Sequence, residues 1–115
     1  LNRTIAEIRL AETTFFGGWH QADLVAVIEV EGVGTEWLHI NSLGVAPSHL
    51  RQGFGTQLLQ VVLELPAWQR ITVATAAANI PALQLYKNAG FHLQKHWSTP
   101  DNIPMVTLVS LCLHF

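Results

Sequence analysis

Six consecutive residues, Arg51-Gln52-Gly53-Phe54-Gly55-Thr56, have the composition of an anion-binding turn. The two glycines let a ligand approach the main chain closely and permit backbone angles that other residues avoid. From Phe54, apolar residues recur at helical spacing through Leu58, Leu59, Val62 and Leu65, and Pro66 stops the run. The glycines therefore fall at the first turn of a helix, where backbone N–H groups lack internal partners and the helix dipole is positive. Such a nest suits a pyrophosphate, with Arg51 as a cation at its rim. The competing reading is a tight strand-to-helix turn that uses glycine for geometry alone. Two other phosphate motifs fit badly. No lysine follows the glycines as a P-loop requires, and Leu58 stands where a dinucleotide fingerprint has its third glycine.

A second stretch, Ile71 to Phe91, has the same strand-then-helix form. Ile71 to Ala76 reads as a strand. Asn79 is a good N-cap with Pro81 in the first turn, Ala82, Leu85, Tyr86 and Ala89 follow at helical spacing, and Gly90 stands where a helix ends. Taken together, Leu43-Gly-Val-Ala-Pro followed by Arg51-Gln-Gly-Phe-Gly, and Asn79-x-x-Ala-x-x-Leu-Tyr-x-x-x-Gly-Phe91, resemble the two motifs of the GNAT superfamily of acyl-CoA-dependent N-acyltransferases. The resemblance covers most of the chain from about Leu24 onward. It departs at Leu50, where the family usually carries Gln or Arg. A backbone nest needs no side chain and survives that change.

The resemblance implies acetyl-CoA as cofactor and site residues to hold it. The backbone amides of Arg51, Gln52, Gly53, Gly55 and Thr56 would bind the pyrophosphate. Leu43 and Val45, at the end of a central strand that splays from its neighbour, would align the pantetheine, and Asn79 would add a cofactor contact to its capping role. Tyr86 would protonate the departing thiolate, although a buried tyrosine with a satisfied hydroxyl is the plainer alternative. His39 stands where many family members carry a glutamate general base. Histidine can do that work near neutral pH, and Trp37, His39 and Asn41 share one face by strand alternation. A structural histidine, with Glu36 or a water chain as the base, is the other possibility. His92 and His96 have helical metal-ligand spacing, but on the strand expected there they lie ~13 Å apart, so no metal is expected. His49 is expected at the surface. Cys112 is expected as inert core in an apolar terminal strand, with no base in view to activate it.

These residues need a scaffold. Residues 1–12 carry conflicting signals: Thr4-Ile-Ala-Glu7 has the capping-box pattern, while Ala6, Ile8 and Leu10 alternate with charged residues. A helix is the expectation. Thr13 to Trp19 reads as a strand in which Gly17-Gly18 suggests a bulge or a close backbone approach, Leu24 to Val30 as a strand, Trp37 to Val45 as the central strand, and residues 54–65 as a right-handed crossover helix to the strand at Ile71. Phe91 to Ser98 and Met105 to Phe115 would close the sheet as an antiparallel pair. The fold class is therefore α+β: a mixed, mostly antiparallel sheet, splayed at the cofactor site and flanked by helices, with a short N-terminal part.

The 115 residues fit one domain, 1–115, and 50% hydrophobic against 12% charged leaves enough apolar surface for a core and a buried partner face. A net charge of −2 without a basic block gives nucleic-acid binding nothing to rest on. The apolar runs are too short to span a bilayer and no signal-peptide pattern opens the sequence, so a cytoplasmic protein without a membrane partner is expected. The function implied is transfer of an acetyl group from acetyl-CoA to a primary amine of a small molecule or peptide, by direct attack in a ternary complex. The alternative is an inactive acyl-CoA-binding module. A homodimer is expected from the low charge and the apolar terminal run.

Overall fold

The computed structural model describes residues 3–10 and 13–112. Among these, seven strands form one mixed sheet: β1 (Arg3–Leu10), β2 (Thr13–His20), β3 (Asp23–Glu31), β4 (Trp37–Val45), β5 (Arg70–Ala76), β6 (His92–Ser98) and β7 (Pro104–Leu111), in the order β1-β2-β3-β4-β5-β7-β6. Helix α1 (Phe54–Leu63) joins β4 to β5, the one parallel pair, and α2 (Ile80–Asn88) joins β5 to β6. The expected bulge in β2 is present, as a register shift between Gly18 and Trp19. The helix expected over residues 1–12 is not: Arg3–Leu10 is a strand, paired in unbroken register with β2 from Arg3↔His20 to Leu10↔Thr13, and the rest of that segment lies outside the described residues. A capping box stabilises a helix end by only ~1 kcal/mol. The ladder satisfies the backbone of the whole segment on its β2 side, so the alternating pattern prevails. Helix α1 ends at Leu63 rather than Leu65, because Pro66 pushes its predecessor out of the helical region.

Both helices pack on the same face of the sheet. One apolar cluster joins Phe54, Leu58, Leu59 and Val62 of α1 and Tyr86 of α2 to Ile28, Val30, Leu38, Ile40, Ile71, Val73 and Leu108 of the strands. Each fully buried side chain of this kind stabilises the fold by ~1.5–3 kcal/mol. The opposite face has no covering helix among the described residues, and Trp37 stands 53% exposed on it. Helix α2 ends as expected. Gly90 adopts φ +96°, its N–H bonds Lys87 O at 3.1 Å, and the Phe91 N–H bonds Tyr86 O at 3.0 Å. This stop turns Phe91 into the core instead of starting the next strand with it.

The sheet opens between β4 and β5. These two pair only from Trp37↔Arg70 to Ile40↔Val73, whereas β3 accompanies β4 to Val45 and β7 accompanies β5 to Ala76. The second half of β4 is thus left with one unpaired edge among the described residues. A bulge contributes to the divergence, since Glu29 faces Ser42 and Val30 faces Ile40, making Asn41 the extra residue. It also resets the alternation: Leu38 and Ile40 face the core before it, Leu43 and Val45 after it.

Candidate active site

The glycine-bearing loop follows a short 3-10 turn, Pro47–His49, and leads directly into α1. Arg51 and Gly53 are held at φ +62° and +84°, with Gln52 between them outside the positive region. Alternation of this kind points successive N–H groups to one side as an anion nest. For Arg51 the left-handed conformation costs about 1–2 kcal/mol that a glycine would not incur. No side chain caps α1, and its first helical bond runs from the Gln57 N–H to Gly53 O at 2.9 Å. The Gly55 and Thr56 amides precede that bond and have no intrahelical acceptor. Arg51, Gln52, Gly53 and Thr56 are all exposed.

Two of the predicted cofactor residues, Leu43 and Val45, meet the glycine loop at Gly55. A methyl group there would lie 3.9 Å from Leu43, 3.8 Å from Val45 and 3.5 Å from Leu85 of α2. The open end of β4, the first turn of α1 and the flank of α2 therefore meet at one place. Asn79 is the N-cap of α2, with its Oδ1 accepting from the Ala82 N–H at 3.3 Å. One residue after Leu85, Tyr86 has its ring buried edge-on to Phe91, with centroids 5.5 Å apart. Burial pushes its phenol up to about 12, so it stays protonated throughout the neutral range. Among the described residues, the one fully buried side-chain polar atom without a hydrogen-bond partner is Gln57 Oε1. Tyr86 as a whole is 4% exposed.

His39 lies on the other face. It precedes the bulge, so Trp37 and His39 point away from the helices while Leu43 and Val45 point toward them. Along the strand, His39 and Leu43 are ~13 Å apart. Trp37 Nε1 donates to Thr72 Oγ1 at 2.9 Å, and the same oxygen lies 2.7 Å from His39 Nδ1. The guanidinium of Arg70 stacks over the Trp37 ring at 4.2 Å. Glu31 pairs with His39 across β3, and Asn41 donates to Glu31 at 2.8 Å and to Glu29 at 3.1 Å. A cavity of about 720 Å³ adjoins this group, lined by Glu31, Gly32, Val33, Thr35, Trp37 and His39. Glu36 is exposed at the start of β4.

Two sequence expectations need adjustment. His49 is half-buried rather than superficial: its Nε2 lies 3.0 Å from His20 Nδ1, its Nδ1 lies 2.7 Å from Ser48 Oγ, and its ring meets Phe54 edge-on. Cys112 follows β7 instead of lying within it, half-buried, with its N–H on Gln69 O. Thr72 was not singled out, although it links Trp37 to His39. The β4–β5 register that sets it beside His39 is not written in either strand alone. His92 and His96 lie on a strand as expected, and no metal-binding group of three or more such ligands occurs among the described residues. Nor is any helix among them long and apolar enough to cross a membrane, which leaves strand-spanning architectures unaddressed.

The splayed β4–β5 pair with an uncapped glycine loop at its mouth agrees with the fold that the two motifs imply. The chain belongs to the acetyltransferase (GNAT) family, whose profile matches residues 2–91. It is 35% identical over 92 residues to the UPF0157 protein YqkA of Bacillus subtilis, covering 79% of this chain and 26% of that one. It is 29% identical over 92 residues to the uncharacterized N-acetyltransferase YsnE of the same organism, covering 76% of this chain and 61% of that one. The chain thus spans about a quarter and about six-tenths of these two relatives. A GNAT family acetyltransferase from Elizabethkingia anophelis, crystallised with acetyl-CoA bound, superposes with a TM-score of 0.84 over 96% of this chain and 99% of its own, at 16% identity. At that identity the likeness is one of fold.

Proposed function

We propose that this protein transfers an acetyl group from acetyl-CoA to a primary amine, on a small molecule or a peptide, by direct attack in a ternary complex. The observation that carries the proposal is the opening between β4 and β5, with the Arg51–Thr56 nest at its mouth on one side and the Trp37–His39 pocket on the other face. The amides of Arg51, Gln52, Gly53, Gly55 and Thr56 bind the pyrophosphate, and Asn79, the N-cap of α2, adds a cofactor contact. The unpaired edge of Leu43–Val45 hydrogen-bonds the pantetheine arm and fixes the thioester carbonyl. The amine enters from the His39 face, His39 takes its proton, the C–N bond forms as the C–S bond breaks, and Tyr86 returns a proton to the thiolate. Cytoplasmic location and pairing of two copies complete the proposal. Exposed Trp37, Trp97 and Leu111 support the pairing, and sedimentation showing only monomer at micromolar concentration would remove it.

The test is thiol release from acetyl-CoA with a panel of primary amines, and mass spectrometry of the amine. Amine-dependent release with a mass gain of one acetyl group is the expected result. Saturable binding of coenzyme A without release on any amine would reassign the chain as an acyl-CoA-binding module.

A further inference from the structure

Thr72 is 5% exposed, and its hydroxyl sits between two nitrogens of different character. The indole N–H of Trp37 can only donate, so at 2.9 Å the Thr72 oxygen accepts from it. At 2.7 Å from His39 Nδ1 two arrangements are chemically possible. In one, the Thr72 hydroxyl donates to Nδ1, and the neutral ring carries its proton on Nε2. In the other, Nδ1–H donates to the Thr72 oxygen, which then accepts twice, and the hydroxyl hydrogen is left with no acceptor among the described residues. A nearly buried donor without an acceptor is strongly disfavoured. The first arrangement uses every group once, in the order Trp37 Nε1–H to Thr72 Oγ1–H to His39 Nδ1.

We infer that Thr72 is a positioning residue that fixes the tautomer of His39, holding the resting ring with its proton on Nε2 and its lone pair turned toward β5. This rests on the proposed function for its catalytic consequence but not for the tautomer itself. In the resting state the solvent-side nitrogen is a donor. For Nε2 to accept the amine's proton, the ring must first exchange tautomer through water, which takes the proton from Nε2 and returns one to Nδ1; the Thr72 oxygen then accepts from Nδ1–H, and its own hydrogen gives up its acceptor. The oxygen's second lone pair makes this possible while Trp37 stays bonded. The imidazolium so formed holds a charge-assisted bond to Thr72, stronger than the neutral bond of the resting ring. Charged groups on this face include Glu29 and Glu31, both accepting from Asn41 and the latter facing His39 on β3, and Arg70, stacked on Trp37.

The experiment is nitrogen-resolved NMR of protein labelled with ¹⁵N in its histidine and tryptophan side chains, at a pH where the His39 ring is neutral. The wild type is expected to show a protonated Nε2 and an unprotonated, hydrogen-bonded Nδ1. Thr72→Val should shift both ring nitrogens and the Trp37 indole N–H, while Thr72→Ser, which keeps the hydroxyl, should retain the wild-type pattern. A wild-type ring protonated at Nδ1, or ring signals unmoved in Thr72→Val with the fold intact, would overturn the inference. If His39→Ala turns over like the wild type while the tautomer is as stated, it is the base role of His39 that fails and not the Thr72 chain.

Discussion

The two halves of the β4 strand do opposite things. From Leu43 to Val45 the strand offers its backbone: one edge is unpaired, and the side chains turn inward against Gly55 and Leu85. From Trp37 to Ile40 the backbone is paired with β5, and at His39 and Ile40 with β3 as well, and the strand offers side chains, Trp37 and His39, outward on a sheet face that no described helix covers. A site built from backbone depends on dihedral angles and on where glycine falls, and it tolerates exchange of the surrounding side chains. A site built from side chains changes with each of them. The cofactor is the same for every acetyl transfer and suits the first kind of site. An acceptor that differs from one enzyme to the next suits the second.

The comparison breaks first at Gly53. Gly53→Glu places a carboxylate in the anion nest and forces a side chain onto φ +84°. Coenzyme A binding should be abolished, along with the stabilisation of ~2.7 kcal/mol expected at 100 times Kd. Thermal unfolding with and without coenzyme A is the measurement, and an unchanged shift in the variant would remove the loop from the site. Next in size is Tyr86→Phe, which keeps the packing against Phe91 and removes only the proton. kcat should fall by ~10²–10⁴ while coenzyme A affinity is kept. A wild-type kcat with chemistry rate-limiting would make Tyr86 a core residue and nothing more.

On the side-chain half, His39→Ala should lower kcat by ~10², and His39→Glu should recover part of it, because a carboxylate can also accept the amine's proton. Steady-state kinetics with a fixed amine decides this; a full-rate His39→Ala would pass the base role to Glu36 or to water.

Two smaller effects sharpen the contrast. Tyr86 is the only tyrosine in the chain, so absorbance titration reports it alone. Its folded value of about 12 lies above the ordinary 10.0, so its contribution to stability is complete below pH 10 and is lost as pH rises through 12. The unfolded chain's phenol ionises first, and denaturant midpoints should fall over that window in the wild type but not through this group in Tyr86→Phe. Smallest is Gly55→Ala. Its methyl would meet Leu85, Val45 and Leu43 at ordinary contact distances of 3.5–3.9 Å, directed inward from the nest. The helix should gain ~0.5–1 kcal/mol with coenzyme A affinity unchanged. Weakened binding would show that Gly55, unlike its neighbours, is needed for close approach of the ligand.

Legibility followed the same division. The loop, the Asn79 cap, the Gly90 stop and the ends of β4 were readable because each depends on local residue chemistry over a few positions. The Arg3–Leu10 strand was misread because a local capping signal competed with a pairing partner several residues away. The insertion of β7 between β5 and β6 depends on long-range pairing that no local pattern encodes. The bulge at Asn41, which places His39 and Leu43 on opposite faces, shows only in the register against β3. Thr72 became visible only once β5 lay beside β4. Motif residues were thus legible and the groups that orient them were not.

The most direct measurement is a titration of ¹⁵N-labelled protein with coenzyme A, followed by backbone amide shifts. If the cofactor is held by backbone at the β4–β5 opening, the largest changes fall on Leu43 to Val45 and on Gln52 to Thr56, with the Trp37 indole and the His39 amide moving little. Changes centred on Trp37 and the Glu31–Trp37 cavity, with residues 51–56 unmoved, would contradict it.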